Sequence, residues 1–191
     1  MGRMTKDDRD FLFNLLRTPS PTGFEMPGQR VWADYLRPLA SEVACDAYGS
    51  TWATLPGKSK NQVMLTAHAD EIGFMIKTIQ QDGFIRIDRI GGSDTATARG
   101  RRLIFQGDKG PVLGIIGNTA IHLRRDSLGD EKAPQIHELW VDVGASNAKE
   151  VAAMGLRVGH PGVYEDGPTE LAHKRLVGRA IDNRIGGYII A

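Results

Sequence analysis

The chain has 191 residues, 24 Lys and Arg against 23 Asp and Glu, a formal net charge of +1 and 41% apolar residues. That composition supports a hydrophobic core and excludes disorder as the default state. Near-neutral charge with scattered basic residues gives no electrostatic case for nucleic acid or membrane partners. The single cysteine, Cys45, excludes an intramolecular disulfide and suits a reducing compartment. The opening MGRMTKDDRD is too charged for a signal peptide, and no apolar run reaches membrane-spanning length. A cytoplasmic protein is expected.

Thr5 to Leu16 reads as a helix. Thr5 and Asp8 are spaced as a capping box, and Phe11, Leu12, Leu15 and Leu16 form one apolar stripe. A turn-rich connection through Pro19, Pro21 and Gly23 leads to a second helix, about Glu25 to Leu36. Ser41 to Ala47 and Thr51 to Leu55 read as two strands around Tyr48-Gly49-Ser50. The alternation about Cys45 places it on an inner face, and Trp52 reads as packing.

The apolar run Val63-Met64-Leu65 leads into His68-Ala69-Asp70-Glu71 and reads as a buried strand. In open α/β sheets chemistry sits just past the carboxyl ends of strands. A metal-ligating His also needs a partner for its second ring nitrogen, and Asp70 is suitably spaced. A strand-end His taken alone is more often a plain surface residue.

Helical signals give way after Asp70 to short strands. Ile72–Ile79 and Phe84–Ile90 flank an Asp82-Gly83 hairpin signal, and Leu103–Gln106 and Val112–Ile116 flank Gly107 to Gly110. Arg124 to Lys132 reads as a charged loop and Leu139–Val143 as a strand. Asn147 to Met154 is a short helix stopped by Gly155, and Leu156 to Tyr164 returns extended. Many short strands with Gly-rich turns predict a small inserted β-barrel. Leu176 to Ile181 reads as a second buried strand ending at Asp182, followed by a helical stripe. A strand-to-helix Asp is commonly only an N-cap. The chain ends within that stripe at Ala191, which leads to the expectation of a fragment.

Several segments in order resemble the M42 family of metallo-aminopeptidases. They are Pro21-Thr-Gly-Phe-Glu25, His68-Ala-Asp-Glu-Ile-Gly-Phe74, Gly83-Phe84 with Ile90-Gly-Gly92, Gly114-Ile-Ile-Gly117 with Ile121-His122, Val141-Asp-Val-Gly-Ala145 and Gly178-Arg-Ala-Ile-Asp-Asn-Arg184. The resemblance implies an α/β fold: a split zinc-peptidase-like domain, truncated, formed by residues 1–70 and 165–191. A small PDZ-like barrel, residues 71–164, would be inserted and serve oligomerisation. His68 would ligate one metal, Asp70 would orient His68, and Asp182 would bridge two divalent ions, zinc or cobalt. A water shared by the ions would attack the peptide carbonyl of short peptide substrates. His122 reads as barrel packing or surface. The family's Glu-Glu pair, further Asp and late His have no counterpart before Ala191. Two alternatives stay open: a metallo-deacylase of the related M20 type, and a non-catalytic oligomerisation or regulatory fragment.

Overall fold

A computed structural model describes residues 4–120, 123 and 132–191. His122 and all of the charged loop except Lys132 lie outside the described residues. The chain divides into two compact units, Met1–Glu71 with Asp166–Ala191, and Ile72–Glu165.

The first unit opens with α1 (Lys6–Arg17). Thr5 Oγ1 accepts the Asp8 N–H and Asp8 Oδ2 accepts the Thr5 N–H, so two otherwise orphaned donors are satisfied. Phe11, Leu12, Leu15 and Leu16 are buried along one face, as the helical spacing requires. α2 (Met26–Leu36) has a proline in its first turn, where no intrahelical N–H is needed. Phe11 of α1 stacks on Tyr35 of α2, ring centroids 3.7 Å apart and 4° from parallel. The Tyr35 hydroxyl donates to Asp8 Oδ1, so the aromatic pair also touches the helix cap.

β1 (Glu42–Cys45) and β2 (Thr51–Thr54) form an antiparallel hairpin that pairs with no other strand among the described residues. Cys45 is exposed and Trp52 is 44% exposed, contrary to the expected inner face and packing. A two-stranded ribbon buries a face only where another layer covers it. The expected strand at 62–67 is also absent. Val63, Met64 and Leu65 are 86%, 85% and 66% exposed, in irregular backbone. No described strand lies alongside to close its ladder, and an unpaired run cannot be a buried strand.

The second unit is a closed six-stranded barrel: β3 (Gly73–Ile79), β4 (Ile85–Ile90), β5 (Arg102–Gly107), β6 (Gly110–Gly117), β7 (Trp140–Asp142) and β8 (Pro161–Tyr164). Neighbours run in the order β3-β4-β7-β6-β5-β8, and β8 returns to β3 through Phe74↔Gly162 and Met75↔Pro161. All of these pairings are antiparallel. Alternate residues point inward, so Phe74, Ile76, Ile85, Ile87, Leu103, Phe105 and Val141 fill one core. Each fully buried side chain of this size contributes about 1.5–3 kcal/mol relative to exposure.

The β3–β4 turn needs Gly83. Its φ is +89°, and a Cβ there would stand 2.2 Å from the Ala145 carbonyl oxygen. Gly162 answers a different demand, close approach: a Cβ would meet the Phe105 ring at 2.7 Å. α3 (Ala148–Ala153) is capped by Asn147, whose Oδ1 accepts the Glu150 N–H at 3.1 Å.

The chain re-enters the first unit through a small ribbon, β9 (Thr169–Leu171) against β10 (Arg175–Val177). The second expected strand therefore stops at Val177 instead of Ile181. Its one described neighbour is three residues long, so pairing ends there. α4 (Ile181–Ile190) follows, with Asp182 and Asn183 held outside helical dihedrals at its start. Among the described residues no helix is long and apolar enough to cross a membrane.

Candidate functional site

The residues singled out by the sequence meet in the first unit. His68 ends an irregular segment, and Asp182 sits in the non-helical first turn of α4. His68 Nε2 lies 3.1 Å from Asp182 Oδ1, and His68 Nδ1 lies 2.8 Å from Asp70 Oδ1. Asp70 Oδ2 in turn accepts the Thr22 hydroxyl at 2.5 Å. A chain of contacts thus runs from Thr22 through Asp70 and His68 to Asp182.

Capping does not explain Asp182. The N-cap position of α4 is Ala180, no side chain caps it, and within its first turns it is Asn183, not Asp182, whose Oδ1 accepts the Gly186 N–H at 3.1 Å. The Asp182 side chain is 95% exposed, which leaves oxygen lone pairs open beside the imidazole. Asp70 is more enclosed, at 31%.

The electrostatics follow these contacts. Burial tends to lower the His68 pKa, but the hydrogen bonds it makes to the Asp182 and Asp70 carboxylates outweigh it, and the net shift is upward. The Thr22 hydroxyl holds Asp70 below the usual carboxylate value. Burial opposes this, and His68 adds to the lowering.

Behind this pair lies a group that sequence reasoning missed as an ensemble. Glu71, next to Asp70, is buried and faces two arginines. Arg179 Nη1 donates to both Glu71 oxygens at 2.6 Å, and Arg184 Nη2 donates to Oε1 at 3.1 Å. The Ser20 N–H reaches the same oxygen at 3.0 Å. Arg184 is 1% exposed and also donates to the carbonyls of Leu15, Thr18 and Ala69. Burial lowers the Arg184 pKa, while the Glu71 carboxylate acts the other way. The available signal was a charged residue inside each apolar motif: Glu71 before Ile72, and Arg184 before Ile185.

An imidazole nitrogen and a carboxylate oxygen at this separation are suitable donors for one divalent ion, with Asp70 as the group that fixes the ring. Among the described residues no cluster of three or more His, Cys, Asp or Glu side chains surrounds a common point. The pair therefore offers part of a coordination shell.

An α/β unit interrupted in sequence by a closed six-stranded barrel is the class of fold seen in solved TET aminopeptidases. The chain belongs to the M42 glutamyl aminopeptidase family, whose model matches residues 49–191. It is 34% identical over 182 residues to the putative aminopeptidase SgcX of Escherichia coli (strain K12), covering 93% of this chain and 48% of that protein. Among solved structures it is similar to the TET aminopeptidase of the marine sediment archaeon Thaumarchaeota archaeon SCGC AB-539-E09. The TM-score is 0.90 at 26% identity, over 97% of this chain and 52% of that one. The Pyrococcus horikoshii TET1 peptidase, described as able to assemble into a tetrahedron or a large octahedral shell, matches with a TM-score of 0.79 at 26% identity. That match covers 96% of this chain and 54% of the archaeal one. The chain spans about half the length of the curated relatives it matches.

Proposed function

We propose that these residues carry one half of the metal site of an aminopeptidase that removes N-terminal residues from short peptides. The observation that carries the reading is the 3.1 Å approach of His68 Nε2 to Asp182 Oδ1, with Asp70 on the opposite ring nitrogen. Two donors bound to one tetrahedral zinc, each about 2.0–2.1 Å from it, stand about 3.3 Å apart. The donor types and their spacing fit that requirement.

In this reading His68 and Asp182 would hold divalent metal, zinc or cobalt, with Asp182 as the ligand proposed to be shared by two ions. Bound ions of this kind lower the pKa of water and polarise a carbonyl. The chain's own part is to fix the donors. Asp70 selects the His68 tautomer that leaves Nε2 free for the ion, and Thr22 fixes Asp70.

We also read the barrel as a PDZ-like oligomerisation module, supported by the assembly described for the Pyrococcus horikoshii TET1 peptidase. The test is hydrolysis of aminoacyl-anilides by the 191-residue chain and its His68→Ala variant, with cobalt or zinc added. Turnover that needs both metal and His68 supports a catalytic chain. Metal binding at His68 without turnover supports a half-site. Neither binding nor turnover would overturn the metal reading and favour the non-catalytic oligomerisation fragment.

A further inference from the structure

Neither proposed ligand has the backbone dihedrals of a regular helix or strand. Residues 61–70 form no strand, and Asp182 lies outside helical dihedrals. Something else must hold them 3.1 Å apart. We infer that Arg184 and Glu71, whose carboxylate accepts from both Arg184 and Arg179, are positioning residues that set the separation of His68 from Asp182. The inference rests on the metal-site reading above and adds to it the group that builds the site.

The geometry is specific. Arg184 is two residues beyond Asp182 and Arg179 three before it, so the two cations bracket the Asp182 segment. Through Nε, Arg184 donates to the Ala69 carbonyl at 3.3 Å, and through Nη2 to the Glu71 carboxylate at 3.1 Å. One guanidinium therefore grips the residues on both sides of Asp70. Its Nη1 donates to the Leu15 and Thr18 carbonyls at the end of α1. Glu71 also accepts the Ser20 N–H, and its own N–H donates to the Ser20 carbonyl at 3.1 Å. Three chain segments converge on one buried carboxylate whose side chain is 2% exposed.

An apolar cluster could fill the same volume without the cost of desolvating three charges. What it could not supply is direction. A planar guanidinium with five fixed donors sets the angle between two segments, and a lysine, one compact charge on a flexible stem, does not. Arg184→Lys keeps the charge and most of the volume but loses the bridge between Ala69 and Glu71.

The test uses the 191-residue chain with Arg184→Lys, Glu71→Gln and, as the site control, His68→Ala. Fold is checked by circular dichroism and by the amide spectrum of the barrel. The readouts are cobalt(II) binding by visible absorption and the long-range 15N–1H spectrum of the His68 ring in metal-free protein. Folded Arg184→Lys and Glu71→Gln are expected to lose about 10- to 100-fold in cobalt affinity, with a changed band shape and moved His68 ring signals. Wild-type affinity, band shape and ring signals in both folded variants would overturn the inference. Should Arg184→Lys fail to fold, Glu71→Gln decides alone, because it keeps the side-chain shape and an acceptor for Ser20. If the wild-type chain binds no cobalt, the metal reading fails. The His68 ring then decides: signals moved by Glu71→Gln support the positioning role, and unmoved signals reject it.

Discussion

His68 and Asp182 are 114 residues apart in sequence, yet Nε2 of one lies 3.1 Å from Oδ1 of the other. The contact raises the His68 pKa, since the bonds His68 makes to Asp182 and Asp70 outweigh the opposing effect of burial. A group with a raised folded pKa stabilises fully below its ordinary value, about 6.5, and that contribution is lost as pH rises through the folded value.

In the metal-site reading proposed above, the same proton would compete with a metal for Nε2. Zinc or cobalt affinity of the chain is therefore expected to rise between about pH 6 and pH 8, with proton release on binding. Calorimetry in buffers of different ionisation enthalpy measures both quantities. A flat affinity profile would show that His68 is not a ligand.

Asp70 behaves in the opposite sense. Its lowered pKa, caused first by the Thr22 hydroxyl, gives a contribution that is present above about pH 3.9 and lost as pH falls through the folded value. Thr22→Val removes that donor. The acid unfolding midpoint of the variant should move to higher pH, followed by circular dichroism.

Removing one partner of the buried ion cluster should be costly, because the rest is left as uncompensated charge. Glu71→Ala and Arg184→Ala are each expected to destabilise the first unit by about 3–5 kcal/mol. His68→Ala, at a side chain 53% exposed, should cost about 0.5 kcal/mol or less. Urea titrations of the three variants, followed by far-ultraviolet circular dichroism, separate these outcomes.

In the barrel, Gly83→Ala combines a positive φ with a backbone clash against Ala145. A loss above about 1 kcal/mol is expected. Gly162→Ala presses on the buried Phe105 ring and should cost about 1–3 kcal/mol. Thermal melts that leave both variants unchanged would contradict the packing described.

Tyr164 extends the argument to alkaline pH. Burial raises its pKa, although Arg101, over its ring at 3.8 Å, favours the ionised form. Stability from this group is complete below about pH 10 and is lost as pH rises through the folded value. Tyr164→Phe should flatten the alkaline loss of barrel stability.

Local features were legible in the sequence. The Thr5–Asp8 box, the α1 stripe and the Asp82-Gly83 hairpin are formed by neighbours a few residues apart, and each is present. Val63 to Leu65 and Cys45 were misread for one shared reason. Apolar pattern tells which face could be covered, while burial needs a layer to cover it. His68, Asp70 and Asp182 were singled out by a motif resemblance, and the structure brings their side chains together. The cluster behind them joins Glu71 to Arg179 and Arg184 across 108 and 113 residues, a pairing that no local pattern encodes.

Barrel closure has a consequence for chain entropy. Because β3 and β8 are antiparallel neighbours, the barrel's entry and exit lie side by side. Once residues 72–165 have folded, they tether Glu71 to Asp166 as a short link does. The loop that must close to join His68 to Asp182 shrinks from 114 residues to about 20. That saves about 1.5 kcal/mol of loop-closure free energy. The insertion thus acts as a conformational short circuit, and it favours an order of events in which the barrel forms first and the distant side chains then find each other.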